Sequence, residues 1–175
     1  MKKSFFRFFF SFTVLILGLA MVGASSVAGA DVDLNNISLI NADDPARPYH
    51  LVDGRLSGDH LEIRVLKSSS FDADGDGRPD GVVVTWENYG GSGNFRVLNL
   101  LLNRDGRLVN TDRVQLGDRI RVEDLRPEGP GKIAVTILDR APGAAMADSP
   151  ARIKTLVYRV EQGRLKKFAA VPKAD

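Results

Sequence analysis

Four aspartates occupy a short stretch of the chain at relative positions 1, 3, 5 and 9: Asp72, Asp74, Asp76 and Asp80. Gly77 stands at relative position 6, where a tight loop must turn sharply. Loops with this spacing wrap a hard divalent cation in carboxylate oxygens and add the main-chain carbonyl of position 7, here Arg78. The spacing therefore predicts a Ca²⁺ site formed by the four aspartates and the Arg78 carbonyl. Because the carboxylates repel one another, the bound ion would also order the loop.

The segments on either side of this acidic loop (residues 72–80) indicate strands rather than the helices of an EF-hand. Residues 61–67 and 82–86 are rich in β-branched side chains, which favour extended structure. Position 12 of the loop is Val83, where an EF-hand requires a bidentate glutamate. A polar turn without metal is the alternative interpretation, because Asp and Gly both suit turns.

The acidic loop resembles the D-x-D-x-D-G-x-x-D loops of the integrin-type FG-GAP and VCBS repeats. In those repeats the loop lies between strands, and its last aspartate closes the metal shell. The resemblance covers only these residues. It implies calcium binding and supplies no activity.

A glycine-rich segment, residues 86–95, follows the strand after the acidic loop and is the second candidate site. Its three glycines allow a ligand to approach the backbone closely, and its aromatic rings could stack on a sugar ring or a peptide side chain. The alternative is a flexible hairpin connection whose Trp and Phe point into the core. The residues predicted to contact a ligand are Trp86, Asn88, Tyr89, Ser92 and Asn94.

The first 30 residues have the three regions of a secretory signal peptide. Lys2, Lys3 and Arg7 precede an apolar run over residues 8–22, and Ala28-Gly29-Ala30 forms an A-x-A cleavage site. Cleavage near Ala30 predicts a periplasmic or secreted protein without a membrane span in the mature chain. A retained membrane anchor is the alternative, although no basic stop-transfer flank follows the apolar run.

Charge and cysteine content exclude several kinds of partner and chemistry. The chain has no cysteine, which excludes disulfides, thiolate metal sites and a lipid-modified cysteine. Without the three basic residues of the signal peptide, the 24 basic residues fall to 21 against 22 acidic ones, a net charge of −1. No cluster of lysine and arginine remains to form a phosphate-binding surface, so nucleic acid is not expected as a partner.

No residue pattern selects an enzyme mechanism, and a protein without catalytic activity is favoured. Ser92 has Gly90 before it but Asn94 after it, so the G-x-S-x-G elbow of lipase-type hydrolases is absent. His50 and His60 each stand alone beside strand-like sequence, where surface or packing roles are common. The sequence is therefore interpreted as a binding or structural module of the cell envelope, with an envelope polymer or a protein as partner. A hydrolase acting on an envelope polymer is the alternative, because carboxylates are plentiful.

Period-two alternation predicts an all-β fold, mostly antiparallel as a meander or sandwich, with at most one short helical turn at residues 144–148. An N-terminal arm is expected over residues 31–48 and a single β domain over residues 49–175. The strand at 82–86 is apolar on both faces, so it is expected to be central and to pair with residues 95–102.

Glycine and proline mark the expected connections between strands. Three hairpin turns share the ending Gly-Arg-Leu and begin at Asp53, Asp105 and Gln162. A further turn is expected at residues 116–119 and a loop at residues 126–132.

The order of these motifs is similar to that of a group of exported bacterial proteins of unassigned function. The similarity is carried by residues 72–80, 90–95 and 116–122, and it spans residues 61–170. It implies an envelope location and an all-β domain, and it supplies no activity.

Overall fold

The computed structural model describes residues 32–145 and 147–172, and all the regular structure in them is β-strand. The expected all-β, antiparallel fold is confirmed. No helix forms at the described positions 144, 145, 147 and 148. The predicted signal peptide, residues 1–30, lies outside the described residues. The strands are β1 (Ser38–Leu39), β2 (Tyr49–His50), β3 (Arg55–Gly58), β4 (Leu61–Phe71), β5 (Asp80–Asn88), β6 (Phe95–Arg104), β7 (Arg107–Asp118), β8 (Arg121–Pro127), β9 (Lys132–Asp139), β10 (Arg152–Glu161) and β11 (Arg164–Pro172).

Two antiparallel sheets contain most of these strands. One sheet has the order β3-β4-β5-β6-β7 and the other the order β11-β10-β9-β8, so each is a meander of consecutive hairpins. β5 lies in the middle of the five-stranded sheet and pairs with β6 from Gly81↔Leu101 to Glu87↔Phe95. The central position and the pairing expected for this strand are confirmed. Within residues 32–145 and 147–172, the chain has no helix long and apolar enough to cross a bilayer.

The two sheets pack face to face around the larger apolar cluster of the protein. Side chains alternate across a strand, so every second residue of β5 and β6 faces the four-stranded sheet. These side chains meet the apolar face of β9 and β10, as expected for a sandwich. Buried residues of this inner core include Val82, Val84, Leu98, Leu100, Leu102, Ile133, Val135, Ile137, Leu156 and Tyr158.

The N-terminal arm covers the opposite, outer face of the five-stranded sheet. Ile37 and Leu39 of the arm share a second apolar cluster with Val83 and Leu101 of the sheet. β1 pairs with β2 in a small separate sheet. The backbone N–H of Ile40 donates to Asn110 Oδ1 at 2.8 Å, which ties the arm to β7. The arm is therefore a third layer, and this explains why β5 is apolar on both faces.

The three expected Gly-Arg-Leu turns are present, and two of them close main-sheet hairpins. Asp105 and Gly106 join β6 to β7 with φ values of 53° and 86°, the double positive φ of a type I′ turn. Gln162 and Gly163 join β10 to β11 in the same way, with φ values of 52° and 73°. The turn at Asp53 closes only an isolated bridge between Val52 and Arg55.

Two connections are shorter than the sequence predicts, because strands extend into them. β7 continues to Asp118, so the turn expected at residues 116–119 begins only at Arg119. Gly117 is still paired within the sheet, opposite Arg96. The loop expected at residues 126–132 is confined to 128–131, since β8 includes Pro127. A proline is tolerated there because β8 is an edge strand.

The acidic loop and the glycine-rich segment lie at opposite ends of the sandwich. The acidic loop joins β4 to β5, next to the β6–β7 turn, and Arg104 of β6 contacts Asp74 there. The glycine-rich segment joins β5 to β6 at the other end, beside the β7–β8 connection. There the Arg119 N–H donates to the Asn94 carbonyl at 2.7 Å. At about 3.3 Å per residue, β5 separates the two loops by roughly 26 Å.

We expect Gly81→Ala to destabilise the contact between the arm and β5. A Cβ at Gly81 would overlap the Cδ2 atom of Leu34, so this buried side chain would have to move within the contact between the arm and β5. The expected loss is about 1–3 kcal/mol of unfolding free energy, measured by urea denaturation. Gly91→Ala is the matched control, because a Cβ at Gly91 meets no atom within 4 Å. Equal stability of the two variants would contradict the packing of the arm on β5.

Candidate metal centre and ligand cleft

The acidic loop is organised by its first aspartate. Pairing between β4 and β5 reaches Phe71↔Asp80, so the residues between them leave the sheet together. Asp72 accepts hydrogen bonds from the backbone N–H groups of Gly75 and Gly77 at 2.8 and 3.0 Å. Both glycines have positive φ, 83° and 81°, which curls the chain back towards Asp72.

Three of the four aspartates come together in this loop. Asp72, Asp74 and Asp80 each offer one carboxylate oxygen, and these oxygens all lie within 4.8 Å of one another. Asp80 is buried, Asp72 is half-buried and Asp74 is exposed. This cluster can hold a metal ion. Its donors are all carboxylate oxygens, which suit hard cations better than soft ones.

Asp76 lies outside the cluster and pairs with Arg78. Their side chains approach to 2.7 Å, and the hydrogen bond from Arg78 is the main reason that the pKa of Asp76 is lowered. Arg78 also reaches Asp105 at 3.0 Å, and Arg104 contacts Asp74 at 2.9 Å. Two guanidinium groups therefore balance part of the negative charge of the loop. A cation in the cluster would share Asp74 with Arg104.

Asp80 connects the acidic loop to the sheet. One of its oxygens accepts the N–H of Ala73 and the other accepts the N–H of Asn103 on β6, both at 2.7 Å. Burial raises the pKa of Asp80 above its usual value, and these two hydrogen bonds oppose the shift. A cation beside Asp80 would favour its carboxylate form. Ala73 is itself part of the inner core, so this end of the loop is held by both hydrogen bonds and packing.

The side chains of Asn88 and Asn94 hold the glycine-rich segment in shape. Asn88 Nδ2 donates to the carbonyls of Gly91 and Gly93 at 3.1 and 2.7 Å, and Asn88 Oδ1 accepts the Gly90 N–H at 2.9 Å. Asn94 Oδ1 accepts the indole N–H of Trp86 at 3.2 Å. The side chains of Asn88 and Asn94, which the sequence predicts to contact a ligand, therefore make hydrogen bonds within the segment itself.

A cleft of about 330 Å³ opens beside Tyr89, on the outer face of the five-stranded sheet. Tyr89 and Phe95 form one wall, with ring centroids 6.1 Å apart and planes tilted by 44°. Asp43 of the arm and Gln115 of β7 also line it. Tyr89 is thus the predicted contact residue that reaches this cleft.

The other predicted contact residues lie elsewhere. Asn88 borders a separate depression of about 310 Å³ together with His60. Trp86, Ser92 and Asn94 line neither concavity. Trp86 lies under the guanidinium of Arg64, 5.4 Å from its ring centroid.

A buried ion pair supports the base of the cleft. Glu87 is 1% exposed, and its carboxylate lies 2.5 Å from the guanidinium of Arg113. The hydroxyl of Thr85 donates to Glu87 at 2.7 Å, and the hydroxyl of Tyr89 donates to its other oxygen. Arg113 donates in addition to the carbonyl of Ile40 at 2.8 Å. The pair therefore joins β5, the β5–β6 connection, β7 and the arm.

Ionisation of the groups around this pair follows from burial and from the charge of Glu87. Burial is the main cause that raises the pKa of Tyr89 to about 12, and the hydrogen bond to Glu87 adds to it. Burial alone would lower the pKa of Arg113, but the charge of Glu87 and the hydrogen bonds to Tyr89 and Glu87 raise it overall. Tyr89 is therefore a neutral phenol beside a charged guanidinium at neutral pH.

Sequence reasoning missed most of the cleft. Glu87 gave a usable signal, since it follows a run of apolar residues in a central strand, where a charged group requires a buried partner. Its partner Arg113 could not be identified in this way. The β6–β7 register shifts twice, after Arg96 and after Leu100, so counting along the strands does not bring Arg113 beside Glu87.

The fold and its two candidate sites define the class of protein: an antiparallel β-sandwich with a cluster of three aspartates that could hold a metal ion at one end and a cleft at the other. The chain matches no protein-family model, no curated protein and no solved structure.

We expect Asp80→Ala to destabilise the protein even in the presence of a chelator. The substitution leaves the buried N–H groups of Ala73 and Asn103 without an acceptor, at a cost of about 2–4 kcal/mol for the two groups. Urea unfolding in chelator measures this loss. Asp76→Ala is the matched control, because Asp76 lies in the same loop and is exposed, so its loss should cost below about 1 kcal/mol. Similar losses in the two variants would contradict the anchoring role of Asp80.

Tyr89 should make stability depend on pH in the alkaline range. Its pKa is about 12 in the folded protein, whereas the ordinary value is 10.0, so the unfolded chain loses the proton first. The contribution of Tyr89 is therefore complete below pH 10 and is lost as the pH rises to about 12. We expect Tyr89→Phe to lose less unfolding free energy over this interval than the parent protein. Parallel pH profiles from urea unfolding would contradict the enclosure of the Tyr89 hydroxyl by Glu87 and Arg113.

Proposed function

We propose that the chain is an exported, calcium-stabilised β domain that acts as a binding or structural module of the cell envelope. The observation that carries this proposal is the cluster of Asp72, Asp74 and Asp80, whose oxygens lie within 4.8 Å of one another. Asp80 is hydrogen-bonded to the backbone of β6, so an ion in the cluster would join Asp72 and Asp74 of the loop to a strand of the sheet. Binding to the folded state alone would then stabilise the whole domain.

Calcium is the cation that the donor set supports best. Ca²⁺ accepts six to eight oxygen ligands in an adaptable arrangement, at about 2.3–2.6 Å. Three carboxylates leave positions for water and for the main-chain carbonyl of Arg78. Asp76 would join the coordination shell of the ion if its carboxylate left Arg78 and bound the ion instead. Mg²⁺ requires a near-ideal octahedron at about 2.0–2.1 Å, which is harder to achieve with a loop of this kind.

Export is supported by the sequence of the first 30 residues and by the chemistry of the proposed site. Lys2, Lys3 and Arg7, the apolar run at residues 8–22 and the A-x-A site form the pattern of a signal peptide. Calcium sites of extracellular modules work with Kd values of about 10⁻⁴–10⁻³ M. A cluster of three carboxylates that is partly balanced by Arg104 suits such weak binding.

The cleft beside Tyr89 supports a binding function over the alternative, a hydrolase acting on an envelope polymer. Two carboxylates, Asp43 and Glu87, border the cleft, and this pair is the observation in favour of hydrolysis. Glu87, however, accepts hydrogen bonds from Thr85, Tyr89 and Arg113. These bonds engage both carboxylate oxygens of Glu87, and the residue is 1% exposed, which disfavours direct contact with the bond of a substrate. The proposed partner is an envelope polymer or a protein.

Thermal unfolding in calcium and in chelator tests the proposed function. At a hundredfold excess of calcium over Kd, the folded state gains about 2.7 kcal/mol, so we expect Tm to rise by roughly 5–10 °C. Mg²⁺ at the same concentration should raise Tm less. An unchanged Tm in millimolar calcium would leave the acidic loop as a turn without metal.

Matched variants assign the calcium effect to the cluster. Asp72→Asn and Asp74→Asn each remove one negative ligand and should abolish most of the shift in Tm. Asp59→Asn is the control, because Asp59 lies in the β3–β4 turn at the other end of the sandwich. A calcium shift that persists in the cluster variants would place the ion elsewhere.

A further inference from the structure

We propose that the cleft beside Tyr89 binds an uncharged saccharide unit of an envelope polymer. This inference rests on the proposed binding function and gives it a ligand class and a site. The volume of about 330 Å³ is at the lower end of the range of about 300–1,000 Å³ that is usual for ligand pockets. It suits one sugar ring of a longer chain that continues into solvent.

The apolar part of the cleft is concave and aromatic. The rings of Tyr89 and Phe95 are tilted by 44° with centroids 6.1 Å apart, so they form an angled wall rather than a closed stack. Tyr89 is 41% exposed, a large fraction for an aromatic residue that contacts a buried ion pair. The C–H faces of a sugar ring are apolar and flat, and they pack well against aromatic faces of this kind.

The free polar groups of the cleft match sugar hydroxyls. Within the described residues, neither the carboxylate of Asp43 nor the side-chain amide of Gln115 has a hydrogen-bond partner, although both line the cleft. A carboxylate only accepts hydrogen bonds, whereas an amide both donates and accepts. Neighbouring hydroxyls of a sugar can satisfy both groups together.

The charge of the cleft disfavours an anionic ligand. Arg113 is its cationic lining residue, and its guanidinium already donates to Glu87, to Tyr89 and to the Ile40 carbonyl. Asp43 adds a negative charge that no cationic side chain in the lining balances. An uncharged ligand avoids both the repulsion and the cost of breaking the Glu87–Arg113 pair.

The same ion pair fixes the Tyr89 ring of the aromatic wall in place before a ligand binds. The hydroxyl of Tyr89 donates to Glu87 and accepts from Arg113 at 3.2 Å, which fixes the orientation of the ring. Glu87 is 1% exposed and lies on the central strand, so its position is rigid. A ring held in this way loses little freedom when a ligand binds, and this favours affinity.

Chemical-shift titration of the purified full chain by NMR tests this inference. The probes are neutral tetrasaccharides of β-1,4-linked glucose and N-acetylglucosamine, with tetralysine as the cationic comparison. We expect saturable shifts of the Tyr89, Phe95 and Gln115 amides with at least one saccharide. Phe95→Ala and Gln115→Ala should each weaken binding about tenfold, the loss of one stacking or hydrogen-bonding contact. Phe168→Ala is the matched control, because Phe168 is a 55% exposed aromatic residue on the other sheet.

Three results would overturn the saccharide site. They are the absence of saturable shifts with every saccharide, shifts with tetralysine alone, and saccharide binding that neither cleft variant weakens. Gln115 is exposed, so Gln115→Ala keeps the test decisive even if Phe95→Ala fails to fold.

Thermal unfolding of the same samples in calcium separates this inference from the proposed function. A calcium shift without saccharide binding overturns the saccharide site and leaves the calcium-stabilised module intact. Saccharide binding without a calcium shift supports the site and overturns calcium stabilisation.

Discussion

The architecture depends on one constraint, which is that β5 is apolar on both faces and must be covered on both. Val82 and Val84 face the four-stranded sheet, and Val83 faces the arm. All three are fully buried, so exposing either face would cost about 1.5–3 kcal/mol for each fully exposed side chain. The second sheet and the N-terminal arm are therefore both needed to cover the two faces of β5. The three-layer arrangement follows from this requirement.

A buried carboxylate lies near each end of the same strand. Asp80 is 0% and Glu87 1% exposed, although burying a charge is costly unless hydrogen bonds compensate it. Asp80 is compensated by backbone N–H groups, and Glu87 by Thr85, Tyr89 and Arg113. Each carboxylate therefore fixes the geometry of its surroundings, the acidic loop at one end and the cleft at the other. The rigid strand between them is the direct physical connection between the two sites.

The features that could be predicted from the sequence are formed by residues close together in the chain. The features that could not be predicted depend on the register between paired strands. Positive-φ turns at Asp105 and Gln162, the central position of β5 and the acidic loop all follow from residues close together in the chain. Asp76 lies outside the cluster because its carboxylate is paired with Arg78, two residues away. The cleft combines residues of the arm, β5, β6 and β7, and two shifts in the β6–β7 pairing hide their proximity. The burial of the arm was also missed, since its apolar residues follow no strand period.

The docking of the arm has a consequence for the order in which the protein folds. The guanidinium of Arg113 donates to the carbonyl of Ile40, which is 73 residues away in the chain. The side chain of Asn110 accepts the N–H of the same Ile40, 70 residues away. The surface that the arm covers is formed by β5, β6 and β7 together, so we expect the arm to dock only after these strands have paired. Until then Val83 and Leu101 face solvent, and contacts of such long range form slowly because of the entropy of closing the loop. A molecule whose arm is undocked would expose the apolar outer face of the sheet, a surface that favours aggregation.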